Sequence, residues 1–246
     1  MKLSVIIPAY NEALNLPETI NALYAELSSN NIEHELIVIN DNSKDNTIEV
    51  IKKLKINIPT LETIFNHPPN NGFGFAIRKG LECFNGDCVA LVMADSSDNP
   101  KDLVNYYHTM IEKKVDCVFG NRFINKGDVT NYPKKKLFIN RFVNNMISIV
   151  FRIKYTDCTN AFKLYSKKTI EGLNPIISPH FNITVELPLK AIVRGYSYSV
   201  LPNKWDNRKF GTSNLKIREM GSRYFFIVLY CLVEKYFSKG DFKKKW

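Results

Sequence analysis

Four polar clusters in the first hundred residues each follow a short apolar run, and each carries groups suited to a nucleotide. Pro8-Ala9-Tyr10-Asn11-Glu12 offers a tyrosine ring that could stack on a base and a carboxylate that could accept from a base or ribose. The alternative is an ordinary strand-to-helix turn. The run from Asn40 to Thr47 offers Asp41 to the same donors, or else caps a helix through Asp45 or Ser43. In Asn70-Asn71-Gly72-Phe73-Gly74 the glycines let backbone come close to a ligand, but the spacing is neither a Walker loop nor G-x-G-x-x-G. Met93-Ala94-Asp95-Ser96-Ser97-Asp98-Asn99-Pro100 sets two carboxylates among hydroxyls. Such hard oxygens are what Mg²⁺ or Mn²⁺ needs to bridge a diphosphate, although a solvated turn capping the next helix would look similar. Beyond residue 100, Arg122, Arg141, Lys163 and Arg208-Lys209 stand beside polar turns. Guanidinium forks grip phosphate oxygens in pairs, so their joint presence suits a second anion. His34, His67, His108 and His180 form no metal spacing, and no Ser/His/Asp arrangement stands out.

These clusters need elements that bring them together. Leu3–Ile7, Glu35–Ile39, Thr60–Phe65, Cys88–Met93 and Cys117–Gly120 read as buried strands, rich in β-branched and apolar residues. Helices are expected between them: one after Asn11 or Asn15 with Leu16, Ile20, Leu23 and Leu27 on a single face, then Thr47–Leu54, Phe75–Cys83 and Pro100–Lys113. Alternation of strand and helix predicts an α/β fold with a mostly parallel sheet, its ligand at the strands' carboxyl ends. The second half is less regular. A helix opening at Lys134–Lys136 has a broad apolar face of Phe138, Phe142, Val143, Met146, Ile147, Val150 and Phe151. Thr156–Leu164 turns into a strand-like run, Val185–Val193 reads as helix despite Pro188, and Tyr196–Leu201 reads as strand. Met220–Phe237 is an aromatic-rich helix before a tail ending Phe242-Lys-Lys-Lys-Trp246.

The 246 residues carry a net charge of +10 and are 45% hydrophobic, which excludes a disordered or collagen-like chain. The charge is divided. Residues 1–100 hold 7 basic and 13 acidic side chains, whereas residues 101–246 hold 27 and 11. A basic half suits an anionic partner: nucleic acid, a phosphorylated substrate or an anionic membrane face. Here the basic residues attend turns, and the acidic strand-end clusters would repel a polyanion, so a nucleic-acid platform is not expected. Five scattered cysteines without C-x-x-C, and an opening apolar stretch too short for a signal peptide, point to a reduced, cytoplasmic protein. Tyr224–Val233 is an apolar run worth about 15 Å of helix, against about 30 Å of hydrocarbon, and cannot span alone. With Lys243–Lys245 behind it, it could lie in a membrane interface, or pack on the core or a second copy.

Taken in order, the motifs resemble glycosyltransferase family 2. Ser4-Val-Ile-Ile-Pro-Ala-Tyr-Asn-Glu12, Val38-Ile-Asn-Asp-Asn-Ser43, Asn70-Asn-Gly72 and Met93-Ala-Asp95 stand where that family places its nucleotide-sugar site. Gly120-Asn-Arg122, Thr156-Asp-Cys-Thr-Asn-Ala-Phe162, Glu186-Leu-Pro-Leu and Asn207-Arg-Lys-Phe-Gly-Thr-Ser213 look like its polyprenyl-phosphate branch, the dolichol-phosphate mannosyltransferases. The resemblance implies a GT-A fold, with a catalytic domain over residues 1–217 and an aromatic helix and basic tail over 218–246. It implies inverting transfer from a nucleotide-diphosphate sugar, of the GDP-mannose or UDP-glucose type, to a polyprenyl or dolichyl phosphate. By position, Pro8, Tyr10, Glu12, Ile39, Asp41, Ala94 and Asp95 would hold the nucleotide sugar. Asp95 with Ser97 and Asp98 would hold a divalent cation, Mg²⁺ or Mn²⁺. Arg122, Arg141 and Arg208 would meet phosphates, the acceptor's among them, and Asp95, Arg122 and Arg208 would carry the transfer. Three positions depart from the family pattern: Met93 replaces the first carboxylate of D-x-D, Asn40 the first of two aspartates, and Asn214 a frequent lysine.

A lipid phosphate has its second pKa at about 6 and attacks as a dianion without a strong general base, which fits the absence of a histidine constellation. A saccharide hydroxyl as acceptor would need a base, for which Glu186 and Asp157 are the candidates, although both read more readily as structural groups. A non-catalytic basic binding module is the reading from another class. The expected setting is the cytoplasmic membrane face, with a homodimer or a separate membrane subunit as partner.

Overall fold

The computed structural model describes residues 1–125, 128–130, 132–208, 210–211 and 217–244, with backbone alone for 217–220. Strand β1 (Leu3–Ala9) runs two residues beyond the expected end at Ile7, through Pro8. The Ala9 carbonyl accepts from Asp41 on the β2 side (β2, His34–Asn40), so the Pro8 nitrogen faces β4 (Cys88–Leu91), whose pairing with β1 has already ended at Leu91. There a missing N–H costs nothing. The remaining strands are β3 (Leu61–Phe65), β5 (Cys117–Asn121), β7 (Lys163–Ser166) and β8 (Tyr198–Pro202), with a short pair β6 (Val129–Thr130) and β9 (Trp205–Asp206) beside them. The main sheet runs β3-β2-β1-β4-β7-β5-β8. Every neighbouring pair is parallel except the two made by β7, which lies antiparallel between β4 and β5.

That inversion matters for the site. Two antiparallel steps restore the direction, so β5 and β8 point the same way as β1, β2 and β4. The loops that follow these five strands all open on one edge of the sheet.

Helices cover both faces. On one side α1 (Leu16–Ser29), α2 (Thr47–Asn57) and α4 (Pro100–Lys113) bury Leu16, Ile20, Leu23, Ile51, Leu103 and Met110 against Leu3, Val5 and Ile7. On the other, α3 (Phe73–Cys83), α5 (Lys134–Phe151), α7 (Ile183–Val193) and α8 (Ile217–Phe237) bury Ile77, Ile147, Phe151, Leu187, Ile227 and Cys231 against Ile6 and Ile37. The period-two alternation along β1 thus supplies both cores. A six-residue helix, α6 (Lys167–Gly172), follows β7 and was not expected.

The C-terminal helix is fixed to this framework. Buried Arg194 donates from Nε and Nη2 to the two oxygens of Glu234 at 2.7 and 2.9 Å, and from Nη1 to the Gly172 and Asn174 carbonyls. The tail returns along α7: Lys244 donates its backbone N–H to Arg194 O and its ammonium to Asp116 at 2.8 Å. Lys244 of the expected basic cluster is therefore ion-paired, and Lys245 lies outside the described residues. Among the described residues no helix is long and apolar enough to cross a membrane.

Candidate active site

The loops after β1 and β2 are stitched together by side chains that the sequence offered as caps. Asn11 takes the Ser43 hydroxyl on its N–H and accepts from Lys44 N at 2.7 Å. Thr47 Oγ1 accepts from Glu12 N, and Asp45 from Ala13 N. This holds the Glu12 carboxylate at the sheet edge. Tyr10 stands 40% exposed beside it, free to stack.

Asp41 is nearly enclosed and has three donors: Asn66 Nδ2 at 2.6 Å, Asn71 Nδ2 at 3.1 Å and Gly72 N at 2.8 Å. Its first task is to shape the 66–72 loop, and only the remaining lone pairs face a ligand. The Ile39 side chain lies wholly in the core and Ala94 is buried, its carbonyl taken by Thr19 Oγ1 at 2.9 Å. Neither side chain can touch a nucleotide. The glycines of the third cluster serve a different close approach from the one expected. A Cβ on Gly74 would lie 2.5 Å from the Pro179 carbonyl carbon and the Ser178 oxygen, and Gly72 adopts a positive φ of 134° against His180. The neighbour is the chain's own 178–180 loop, which Glu186 anchors by accepting from Ile177 N and Ser178 N.

Asp95 follows β4. Its Oδ1 accepts from Ser97 N at 3.2 Å, and its Oδ2 accepts from Arg208 Nη2 at 2.9 Å. The same Nη2 lies 3.1 Å from Glu12 Oε1, so two carboxylates from separate strands converge on one cationic nitrogen. Burial would lower the Arg208 pKa, but the charges of Asp95 and Glu12 hold it above its usual value. Asp98, close enough to feel the charge of Asp95, commits one oxygen to the loop backbone. Its Oδ2 accepts from Met93 N at 3.1 Å, and burial lifts its pKa to about 7. Ser97 is buried with its carbonyl taken by Asp206 N.

Arg122 follows β5 and is gripped from behind. Asp157, fully buried, accepts from its backbone N, from Nε at 2.9 Å and from Nη2 at 2.8 Å. Burial works against the cation, but Asp157 keeps its pKa raised. Two of the four motifs that looked like the polyprenyl-phosphate branch, Gly120–Arg122 and Thr156–Phe162, therefore clasp one another. Tyr155 donates to the Gly120 and Asp157 carbonyls, and Asn160 Nδ2 donates to Gly120 O and Asn203 Oδ1. Asn160 stood inside the Thr156–Phe162 motif without a role of its own, and sequence reasoning missed Asn203, since an isolated asparagine carries no spacing signal.

Arg141, on α5, stacks its guanidinium 4.6 Å from the centroid of Phe123, and Arg122 lies 5.4 Å from the same ring. Nη1 of Arg141 is buried with no hydrogen-bond partner among the described residues. An orphaned cationic donor, on a ring that a second guanidinium also approaches, could take an anion's oxygens. Glu186 and Asp157, the candidate bases, are both fully buried, the former paired with Lys190 and the latter with Arg122. Neither can reach a substrate hydroxyl.

At this α/β sheet edge Glu12 and Asp95 converge on Arg208, and Arg122 and Arg141 flank Phe123, an arrangement of carboxylates and guanidinium groups suited to a phosphorylated ligand and its cation. Residues 4–173 match the model of glycosyl transferase family 2, and the chain belongs to that family. It is 25% identical over 216 residues to polyprenol monophosphomannose synthase of Mycolicibacterium smegmatis, covering 86% of this chain and 80% of that protein. It is 30% identical over 225 residues to dolichol-phosphate mannosyltransferase of Pyrococcus furiosus, covering 88% of this chain but only 60% of that longer protein. Among solved structures, glucosyl-3-phosphoglycerate synthase of Mycobacterium tuberculosis, with Mn²⁺, UDP and phosphoglyceric acid, superposes with a TM-score of 0.71. That likeness covers 94% of this chain and 78% of the other at 15% identity, and it establishes the GT-A fold. The same enzyme with Mg²⁺ and UDP gives 0.67 at 16% identity over 95% of this chain and 79% of the other.

Proposed function

We propose that this glycosyltransferase moves a sugar from a nucleotide-diphosphate donor of the GDP-mannose or UDP-glucose type to a polyprenyl phosphate at a membrane surface. The observation that carries the acceptor side is the orphaned Nη1 of Arg141, stacked with Arg122 on Phe123. Phosphate oxygens would satisfy it. The named activities of the two relatives support the same class of acceptor.

On the donor side, Tyr10 presents an exposed ring for the base, with Glu12 and the outer lone pairs of Asp41 for polar groups of the nucleoside. The residues present fit a divalent cation, because Glu12 and Asp95 already hold a guanidinium nitrogen between them as a stand-in. Asp95 would be its principal ligand, with Ser97 adjacent. Asp98 would need to leave the Met93 amide first. When bound, such an ion neutralises the departing diphosphate. The chain's part is positional. Asp157 fixes the Arg122 fork, Phe123 fixes Arg141 beside it, and the paired cations hold the acceptor phosphate for in-line attack. A phosphate nucleophile is largely ionised near neutrality, with a second pKa of about 6, so no protein base is required.

Two helices support the membrane setting. Helix α5 exposes Phe138, Phe142, Met146 and Ile149 behind lysines at its start, and α8 exposes Phe225, Phe226, Leu229, Val233, Tyr236 and Phe237. They meet at their far ends, where Lys235 donates to the Phe151 carbonyl at 2.6 Å. Aromatic, apolar surface flanked by lysines is suited to the headgroup region. Replacing Arg141 with alanine should raise KM for polyprenyl phosphate about tenfold or more, with little change in KM for the nucleotide sugar. An equal rise for both substrates would contradict the acceptor assignment.

A further inference from the structure

Glu12 and Asp95 each have one carboxylate oxygen committed to their own loop and one aimed outward. Glu12 Oε2 accepts from Asn15 Nδ2 at 2.6 Å, and Asp95 Oδ1 accepts from Ser97 N. The two outward oxygens share Nη2 of Arg208. Asp206 N donates to Ser97 O at 3.1 Å on one side of Arg208, and Phe210 O accepts from Asn15 Nδ2 at 3.4 Å on the other. These anchors lie on the two loops that supply the carboxylates, so the described residues about Arg208 act as a strap. Met93 stands where a first D-x-D carboxylate would be, so the second acidic group of any cation seat must come from elsewhere. Glu12 is the group that the fold brings there.

We infer that Glu12 and Asp95 form a single cation seat with two mutually exclusive occupants: Arg208 in the donor-free chain, and the divalent cation once it enters. The inference rests on the donor-site reading above. Two cations cannot share the seat, because at contact distance their repulsion removes what each gains from the carboxylates. With the ion in place the Arg208 guanidinium would leave the two carboxylates and could turn to phosphate oxygens. Arg208 thus has two roles in sequence. It neutralises the two carboxylates, then serves as a phosphate contact.

The test needs neither nucleotide nor acceptor. Mn²⁺ is titrated into the full chain and its EPR signal reports the free ion. A closed strap lowers apparent affinity by the fraction of chains that are open, so Arg208→Ala should bind Mn²⁺ about tenfold more tightly or better. The gain should vanish in Arg208→Ala with Glu12→Gln, and Asp95→Asn should bind weakly with or without Arg208. Should the alanine variant fold poorly by circular dichroism, the unsubstituted chain answers the same question. Phenylglyoxal labelling followed by peptide mass spectrometry should show Arg208 reacting faster with Mn²⁺ present than without. Unchanged affinity in Arg208→Ala, a gain that survives Glu12→Gln, or Arg208 labelling that is equal or slower with Mn²⁺ would each overturn the exchange. A chain that exchanges the two cations yet passes no sugar to lipid removes the acceptor reading and leaves this inference standing. A chain that transfers sugar without exchange does the reverse.

Discussion

Asp157 meets no ligand, yet it decides where Arg122 points, because a guanidinium held through Nε, Nη2 and the adjacent backbone N has no freedom left. Replacing Asp157 with alanine strands that cation in the interior and should cost about 3–5 kcal/mol, read as a fall in the denaturant midpoint. A change below about 1 kcal/mol would mean that Arg122 relaxes to solvent. Lys163 is the second residue with a testable consequence. It is fully buried on β7, and its ammonium donates to the carbonyls of Cys158, Asn160 and Thr184. Burial pushes its pKa from 10.5 down to about 7, partly offset by Cys158 and Asp157. Below about 7 both the folded and the unfolded chain carry the proton, and the cost of burying the charge is complete. Between about 7 and 10.5 only the unfolded chain retains it, so stability rises with pH. The melting temperature of the unsubstituted chain, minus that of Lys163→Met, should therefore increase from about pH 6.5 to about pH 8.5. A flat difference would place the amine in contact with water. At this scale the sequence located the chemistry but not its customers. Asp41, Gly74 and Asp157 are spent first on the chain itself, because backbone donors and a distant loop arrive there only after folding.

Helices α5 and α8 raise the question of an unpartnered surface. The buried side of α8 holds Cys231, Ile227 and Glu234, the last paired with Arg194, whereas its outer side is apolar. This reverses the usual arrangement of a surface helix, and water is a poor neighbour for it. Exchanging Phe138 and Phe142 on α5, and Phe225 and Phe226 on α8, for serine should abolish flotation with anionic liposomes while leaving the fold intact. Equal flotation would assign the face to a protein contact. Element by element, the parallel half was readable because β-branched runs of four to seven residues stopped at polar turns. Three features were not. The run through Pro8 depends on where β4 stops pairing. The antiparallel insertion of β7 depends on which neighbours Lys163–Ser166 finds, which no local pattern encodes. α6 is a single short helix capped by Ser166, too brief to show periodicity.

Across the whole molecule, the division of charge has a spatial meaning. The acidic first hundred residues supply Glu12, Asp41 and Asp95 to the edge of the sheet, where Arg208 from the basic remainder joins Glu12 and Asp95, while Arg122 and Arg141 gather about Phe123 after β5. The antiparallel strand β7 is what allows β5 and β8 to deliver their loops to the same edge. On the proposed function, opposite signs of charge at this edge would hold a donor with its cation and an anionic acceptor. The measurement that tests this most directly follows labelled sugar from a panel of nucleotide sugars, with undecaprenyl or dolichyl phosphate and Mn²⁺ present, into the organic phase. The expected result is sugar on the lipid from at least one donor, lost in Asp95→Asn. Sugar appearing only on a free saccharide, with none on lipid from any donor, would contradict it.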